Sequence, residues 1–325
     1  MKKFVAILLT LMLVLGIGAA VAEETYSDVS SVTVKKVYKL TNANMSSPAG
    51  TFTLKQVGDG RVTDGDATSA PALGTITGAV FAEGAATVNG TTGEIKIALP
   101  TYEKVGVYEY TLQEVAGTTA GVTYYGKDIL LKVTVIEQGG KIRVAAVHTE
   151  EGHSGTGDNK KDTFANTYEA GTLNVTKTVA GNLGDQSKKF DFTVTFTKPD
   201  GKDVNSRITA TVAGVGATDF NIAWDDKGTY TYTFQLAHGQ TASFANLPYG
   251  VTYTVTEAAA DGYTTTKAGD SGTISAAEQT AAFTNTKSGT IDTGVTTENL
   301  PYVLLIGFVV LAGAALLIKR KAHNN

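Results

Sequence analysis

Tyr108-Glu109-Tyr110-Thr111-Leu112-Gln113-Glu114 alternates bulky apolar and polar residues, the period of a strand with one face buried. Its last member is unusual: Glu114 falls in phase with Tyr108, Tyr110 and Leu112, so the strand directs a carboxylate inward. The same alternation runs through Val32-Thr33-Val34, Phe52-Thr53-Leu54, Ile95-Lys96-Ile97, Leu131 to Val135 and Ile142-Arg143-Val144. Turn clusters such as Gly58-Asp59-Gly60 and Gly139-Gly140 separate these segments, and the polar stretch Glu150 to Asp162 reads as the least structured part of this half. The pattern predicts an all-β fold, with antiparallel sheets packed as a sandwich.

A second set of strands follows Tyr168-Glu169-Ala170-Gly171, over Leu173 to Val179, Phe190 to Phe196, Tyr230 to Phe234, Val251 to Val255 and Ala281 to Phe283. A chain of 325 residues exceeds what one core usually holds, and the boundary falls near Ala170, giving domains over 23–169 and 170–289. The halves share a scheme: an opening strand ending in lysine, an inner strand ending in glutamate, and a closing Phe-x-Asn-Thr.

Parity places three polar residues on the apolar face of each half. In the first, Lys36 is in phase with Val32 and Val34, Glu114 with its tyrosines, and Asn166 with Phe164; in the second, Lys177 follows Leu173 and Val175, Glu257 follows Val251, Tyr253 and Val255, and Asn285 follows Phe283. Lys35 points outward by the same count. A lone buried ammonium or carboxylate costs several kcal/mol, so each must be paired, neutralised or consumed. Desolvation favours the neutral forms of both groups. A neutral amine is a nucleophile, and a protonated glutamic acid can polarise the asparagine carbonyl and carry protons to departing ammonia. The expected product is a Lys–Asn isopeptide bond in each domain, with Glu114 and Glu257 catalytic. The alternative is a pair of buried ion pairs that never react.

Both ends read as addresses. Lys2-Lys3, the apolar run from Phe4 to about Ile17 and Ala20-Val21-Ala22 follow the order of a secretory signal peptide over residues 1–22. Tyr302 to Ile318 is almost wholly apolar and is followed by Lys319-Arg320-Lys321, a short membrane helix with a positive cytoplasmic flank. Upstream, Thr290-Ile291-Asp292-Thr293-Gly294 completes an order that resembles the sorting signals cut by sortases, spanning 290–325. In that family cleavage falls between Thr and Gly, here Thr293 and Gly294, although the common Leu-Pro-x-Thr-Gly pentapeptide is missing.

Val-x-Lys, Thr-Leu-Gln-Glu or Thr-Val-Thr-Glu, and Phe-x-Asn, together with the sorting signal, resemble the isopeptide-linked domains of streptococcal-type major pilins over nearly the whole chain. The resemblance implies two tandem immunoglobulin-like (CnaB/pilin-type) β-sandwiches, with Lys36 and Asn166, and Lys177 and Asn285, on neighbouring first and last strands and the glutamates between them. It implies a shaft subunit polymerised by a pilin-type sortase and finally joined to peptidoglycan, which touches the membrane only before sorting. Its partners would be identical subunits, with host surface ligands a further class. The same domains also suit a singly wall-anchored adhesin or stalk. In the resembled pilins the acceptor lysine for the next subunit lies shortly before the closing strand of the first domain, where Lys160 and Lys161 stand; Lys39, without a Tyr-Pro-Lys motif, is a weaker candidate.

Other classes find little support. A net charge of −4 and no basic stripe argue against nucleic acid. No cysteine is present, so an exported chain must gain stability from packing or another crosslink. The four histidines, His148, His153, His238 and His323, are scattered without nucleophile motif or metal spacing. Asp64-Gly65-Asp66 reads as a turn and Trp224 as core, and no metal or cofactor is expected.

Overall fold

The computed structural model describes residues 28–152, 160–204, 207–214, 216–220, 223–290 and Leu305. The signal peptide, the cleavage pair Thr293–Gly294 and the membrane span, Leu305 excepted, lie outside the described residues. Among those described, the chain is β throughout 31–286, and no helix is long and apolar enough to cross a membrane.

The first set of strands forms two facing sheets. One has the order Ile76–Thr77, Thr91–Ala98, Ser31–Leu40, Thr163–Tyr168, Val122–Thr123; the other runs Lys141–Glu151, Ile129–Gln138, Gly106–Glu114, Leu54–Gln56, with Arg61–Gly65 also on Gly106–Glu114. The apolar members of the predicted alternation meet between them, with Val34, Tyr110, Leu112, Leu131, Val133 and Phe164 all buried. The second set repeats the plan. A six-stranded sheet centred on Ala170–Ala180 faces a four-stranded one centred on Phe190–Thr197 and Thr252–Glu257, and Val175, Phe192, Val194, Phe244, Val255 and Phe283 fill the gap.

Three expectations need correction. The sheets are not wholly antiparallel: the opening strand Ser31–Leu40 pairs in parallel with the closing strand Thr163–Tyr168, and Ala170–Ala180 pairs in parallel with Glu278–Thr286. These partners are the ends of a domain and not a hairpin, so no tight turn forces them to run in opposite directions. Phe52-Thr53-Leu54 is not one strand, because it breaks at Thr53: Gly50–Phe52 pairs with Ala79–Phe81 and Leu54–Gln56 with Gly106–Glu114. Of the stretch from Glu150 to Asp162, which its polarity marks as unstructured, the described residues include paired backbone, with Glu150 bridged to Lys160. Glu150 and Glu151 close the strand Lys141–Glu151, and the Lys161 N–H donates to the Thr149 carbonyl at 2.9 Å.

Glu169 alone separates the closing strand of the first domain from the opening strand of the second. A polar seam holds the two together. Asn246, at φ 64°, accepts from the Ser46 N–H at 3.1 Å and donates to the Ser46 and Arg207 carbonyls. Asn42 donates to the Ala170 carbonyl and the Tyr249 hydroxyl.

Candidate functional site

Each sandwich brings one lysine, one glutamate and one asparagine into contact within its core. In the first domain Lys36 projects from the opening strand and Asn166 from the adjacent closing strand, while Glu114, at the end of its strand, reaches across from the facing sheet. The Lys36 Nζ donates to Glu114 Oε2 at 2.6 Å and to Asn166 Oδ1 at 2.6 Å, and Asn166 Nδ2 donates to Glu114 Oε1 at 2.6 Å. Lys36 is 1% exposed and Asn166 fully buried. In the second domain Lys177 Nζ donates to Glu257 Oε1 at 2.7 Å and Asn285 Nδ2 to the same oxygen at 2.5 Å. Lys177 and Asn285 are likewise buried, as is the Glu257 side chain.

Aromatic rings wall off the amines. Lys36 Nζ lies 5.5 Å from the centroid of Phe52 and 5.9 Å from that of Tyr125; Lys177 Nζ lies 4.2 Å from Phe190 and 5.7 Å from Phe192. Burial therefore pushes both ammonium groups below the usual lysine range, more strongly than Glu114 and Glu257 hold them up. In such surroundings a proton passing from lysine to glutamate leaves a neutral amine beside an amide carbon and a neutral acid beside the amide nitrogen. That arrangement is suited to acyl transfer from the amide to the amine.

The region of the proposed acceptors lies beside the first triad. Lys161 Nζ donates to Glu151 Oε1 at 2.8 Å and sits 5.5 Å from the centroids of both Tyr125 and Phe164. The same Glu151 oxygen accepts from the Tyr125 hydroxyl at 2.7 Å. These donors, Lys161 first, hold the Glu151 carboxyl down to about 2. Lys160 is exposed and Lys39 half-buried, while Lys35 points outward to Asp162 at 3.5 Å. Trp224 packs partly buried against the second core. Among the described residues, no cluster of three or more His, Asp or Glu could hold a metal.

Sequence parity gave no sign of one participant. The backbone N–H of Tyr125 donates to both Asn166 Oδ1 at 2.9 Å and Glu114 Oε2 at 3.0 Å. A main-chain group leaves no mark in residue type, and nothing in the sequence alone would have revealed it.

Residues 32–169 match the family of Spy0128-like isopeptide containing domains. Residues 171–287 match a domain of unknown function (DUF7601). The chain is 29% identical to a pilin of Streptococcus pyogenes serotype M1, over 92% of this chain and 93% of the relative. The crystal structure of the major pilin of Streptococcus pyogenes aligns with a TM-score of 0.53 at 26% identity, covering 81% of this chain and all of that one. The T3.2 major pilin of the same species shares the fold, with a TM-score of 0.52 at 23% identity over 80% of this chain and 99% of that one. The likeness to streptococcal-type major pilins read from the sequence therefore holds along most of the chain.

Proposed function

We propose that this protein is the shaft subunit of a sortase-assembled, cell-wall-attached pilus, a structural protein whose two domains, 23–169 and 170–289, are each closed by a self-formed Lys–Asn amide. The observation that carries the reading is the repeated buried triad: two sandwiches of different sequence each place an amine, a carboxyl and a carboxamide within hydrogen-bond distance in an apolar core. Chance burial of three polar groups twice over would be costly. The pilin relatives supply the setting.

In the proposed step, Lys36 or Lys177 gives a proton to its glutamate, and the neutral Nζ adds to the asparagine Cγ. The glutamic acid then passes that proton to Nδ2, the Cγ–Nδ2 bond breaks and ammonia leaves, while the regenerated carboxylate takes the second proton from Nζ. The new Cγ–Nζ amide replaces the old one, with no oxidant or external energy required. Sortase would cleave between Thr293 and Gly294 and pass the Thr293 acyl group to a lysine of the next subunit. Lys161 suits that role better than Lys160, because Glu151 and two rings fix its amine at the surface of the first domain.

Intact mass of the ectodomain tests the crosslinks: the chain should weigh less than its encoded sequence by two ammonia molecules, and a full mass removes the proposed chemistry. Wall extracts test assembly. A ladder of detergent-resistant multimers, lost on Lys161→Arg, is expected, whereas a single wall-linked species would identify a singly anchored adhesin or stalk.

A further inference from the structure

We infer that the Tyr125 backbone N–H is the oxyanion donor of the first domain's crosslinking reaction, and that the second domain closes without a counterpart. This rests on the isopeptide chemistry proposed above. When an amine adds to an amide carbon, negative charge builds on the carbonyl oxygen, and a donor already aimed at that oxygen stabilises the transition state more than the ground state. Tyr125 N stands 2.9 Å from Asn166 Oδ1, within the separation such donors show.

Two further features fit the role. Asn166 is oriented by its neighbours: its Oδ1 faces the two donors Lys36 Nζ and Tyr125 N–H, and its Nδ2 faces the Glu114 carboxylate. The amide nitrogen that must leave is therefore next to the group able to protonate it. Tyr125 itself is tied down, since its hydroxyl donates to Glu151 and its ring meets Phe164 edge-on at 5.0 Å. An N–H held from both sides needs no reorganisation as charge develops.

The second site differs at this point. Asn285 Oδ1 and Glu257 Oε2 are buried with no hydrogen-bond partner among the described residues, so no described main-chain N–H stands on the reacting carbonyl there as Tyr125 does in the first domain. Other things being equal, loss of one preorganised donor slows such a reaction by about 10²- to 10³-fold.

The test uses the ectodomain made by cell-free synthesis with the α-hydroxy analogue of tyrosine at position 125, which turns that one amide into an ester and deletes the N–H while keeping the side chain. Samples quenched in acid over time and digested with trypsin report the Lys36–Asn166 and Lys177–Asn285 crosslinked peptides separately. The second domain thus serves as an internal clock. The expected result is closure of Lys177–Asn285 at the parent rate and of Lys36–Asn166 at least about tenfold slower, a conservative floor on the loss of one such donor. Parent-like closure at both sites overturns the role of Tyr125, and failure of the unaltered chain to close at all overturns the isopeptide reading itself. Should the ester prevent the first domain from folding, the unaltered chain decides the matter: Lys36–Asn166 must close well ahead of Lys177–Asn285, and equal or reversed rates overturn the inference.

Discussion

Lys36 and Asn166 stand two register positions apart on adjacent parallel strands, with Lys36 opposite Phe164 and Asn166 opposite Tyr38. Lys177 and Asn285 repeat the offset, opposite Phe283 and Val179. Two residues along a strand are about 7 Å, a distance that the four-carbon stem of a lysine leaning along its own strand can cover. The stagger brings the amine to the carboxamide and keeps both on the core-facing side. Parallel pairing keeps it constant, because neighbouring positions advance together along both strands.

The rate of ring closure should stay level across neutral pH and fall as the pH climbs toward the ordinary lysine value of 10.5. The proton that leaves lysine is the one the glutamic acid delivers to Nδ2, and burial lowers the point at which Lys36 and Lys177 lose it to solvent. Ammonia release from freshly folded chain, followed by mass, checks this; a rate still climbing steeply around 10.5 would mean that the lysines react without a proton from their glutamates.

Glu114→Ala and Glu257→Ala should each leave one ammonia in place and open one loop. Lys36 and Asn166 are 130 residues apart, and closing a loop of that order restrains the unfolded chain by about 5 kcal/mol if the disulfide analogy holds. Each variant should melt well below the parent, with the loss confined to its own domain. A deficit of two ammonia molecules relative to its own encoded sequence, in either variant, would show that the glutamate is dispensable.

Glu151 should titrate near 2 in the folded protein, against an ordinary 4.5. A carboxyl that titrates lower when folded contributes stability that is complete above the unfolded value and disappears as pH falls through about 2. Carbon-detected NMR of the side chain gives the midpoint directly. Glu151→Gln should return Lys161 to a mobile, solvent-facing amine and lower the yield of multimers without changing the ammonia count, whereas unchanged multimer yield would show that Lys161 needs no fixing.

Asn246→Ala should loosen the seam between the domains. It removes the acceptor for Ser46 N–H and the donor to two carbonyls, at about 1–3 kcal/mol for buried groups left unpaired, and places a Cβ-bearing, non-polar residue at positive φ. Asn246→Gly tolerates the backbone but loses the same bonds. Both should broaden the distance distribution in small-angle scattering; identical curves would assign the rigidity elsewhere.

Much of this was legible in the sequence, because alternation with a period of two fixes which side chains share a face. Lys36, Glu114 and Asn166, with Lys177, Glu257 and Asn285, needed only that count. What escaped was whatever depends on chain path or main-chain groups. Thr241–Pro248 forms a central strand carrying the buried Phe244, yet it ends in proline and its small residues mask the alternation. The direction of the closing strands is set by the crossover between sheets, which residue types do not encode. Tyr125 reads as one tyrosine among many, and its function in the first domain belongs to its amide.

The single residue between Thr163–Tyr168 and Ala170–Ala180 has a mechanical consequence for a fibre joined at Lys161 and Thr293. Pull would travel along the main chain from 161 to 177, step across the Lys177–Asn285 amide, and leave through 285 to 293. Residues 178–284 would hang from that track as an unloaded loop, and Lys36–Asn166 would bear no traction at all. The filament would behave as a nearly inextensible cord, with most of each subunit spared from strain and free to vary at its surface.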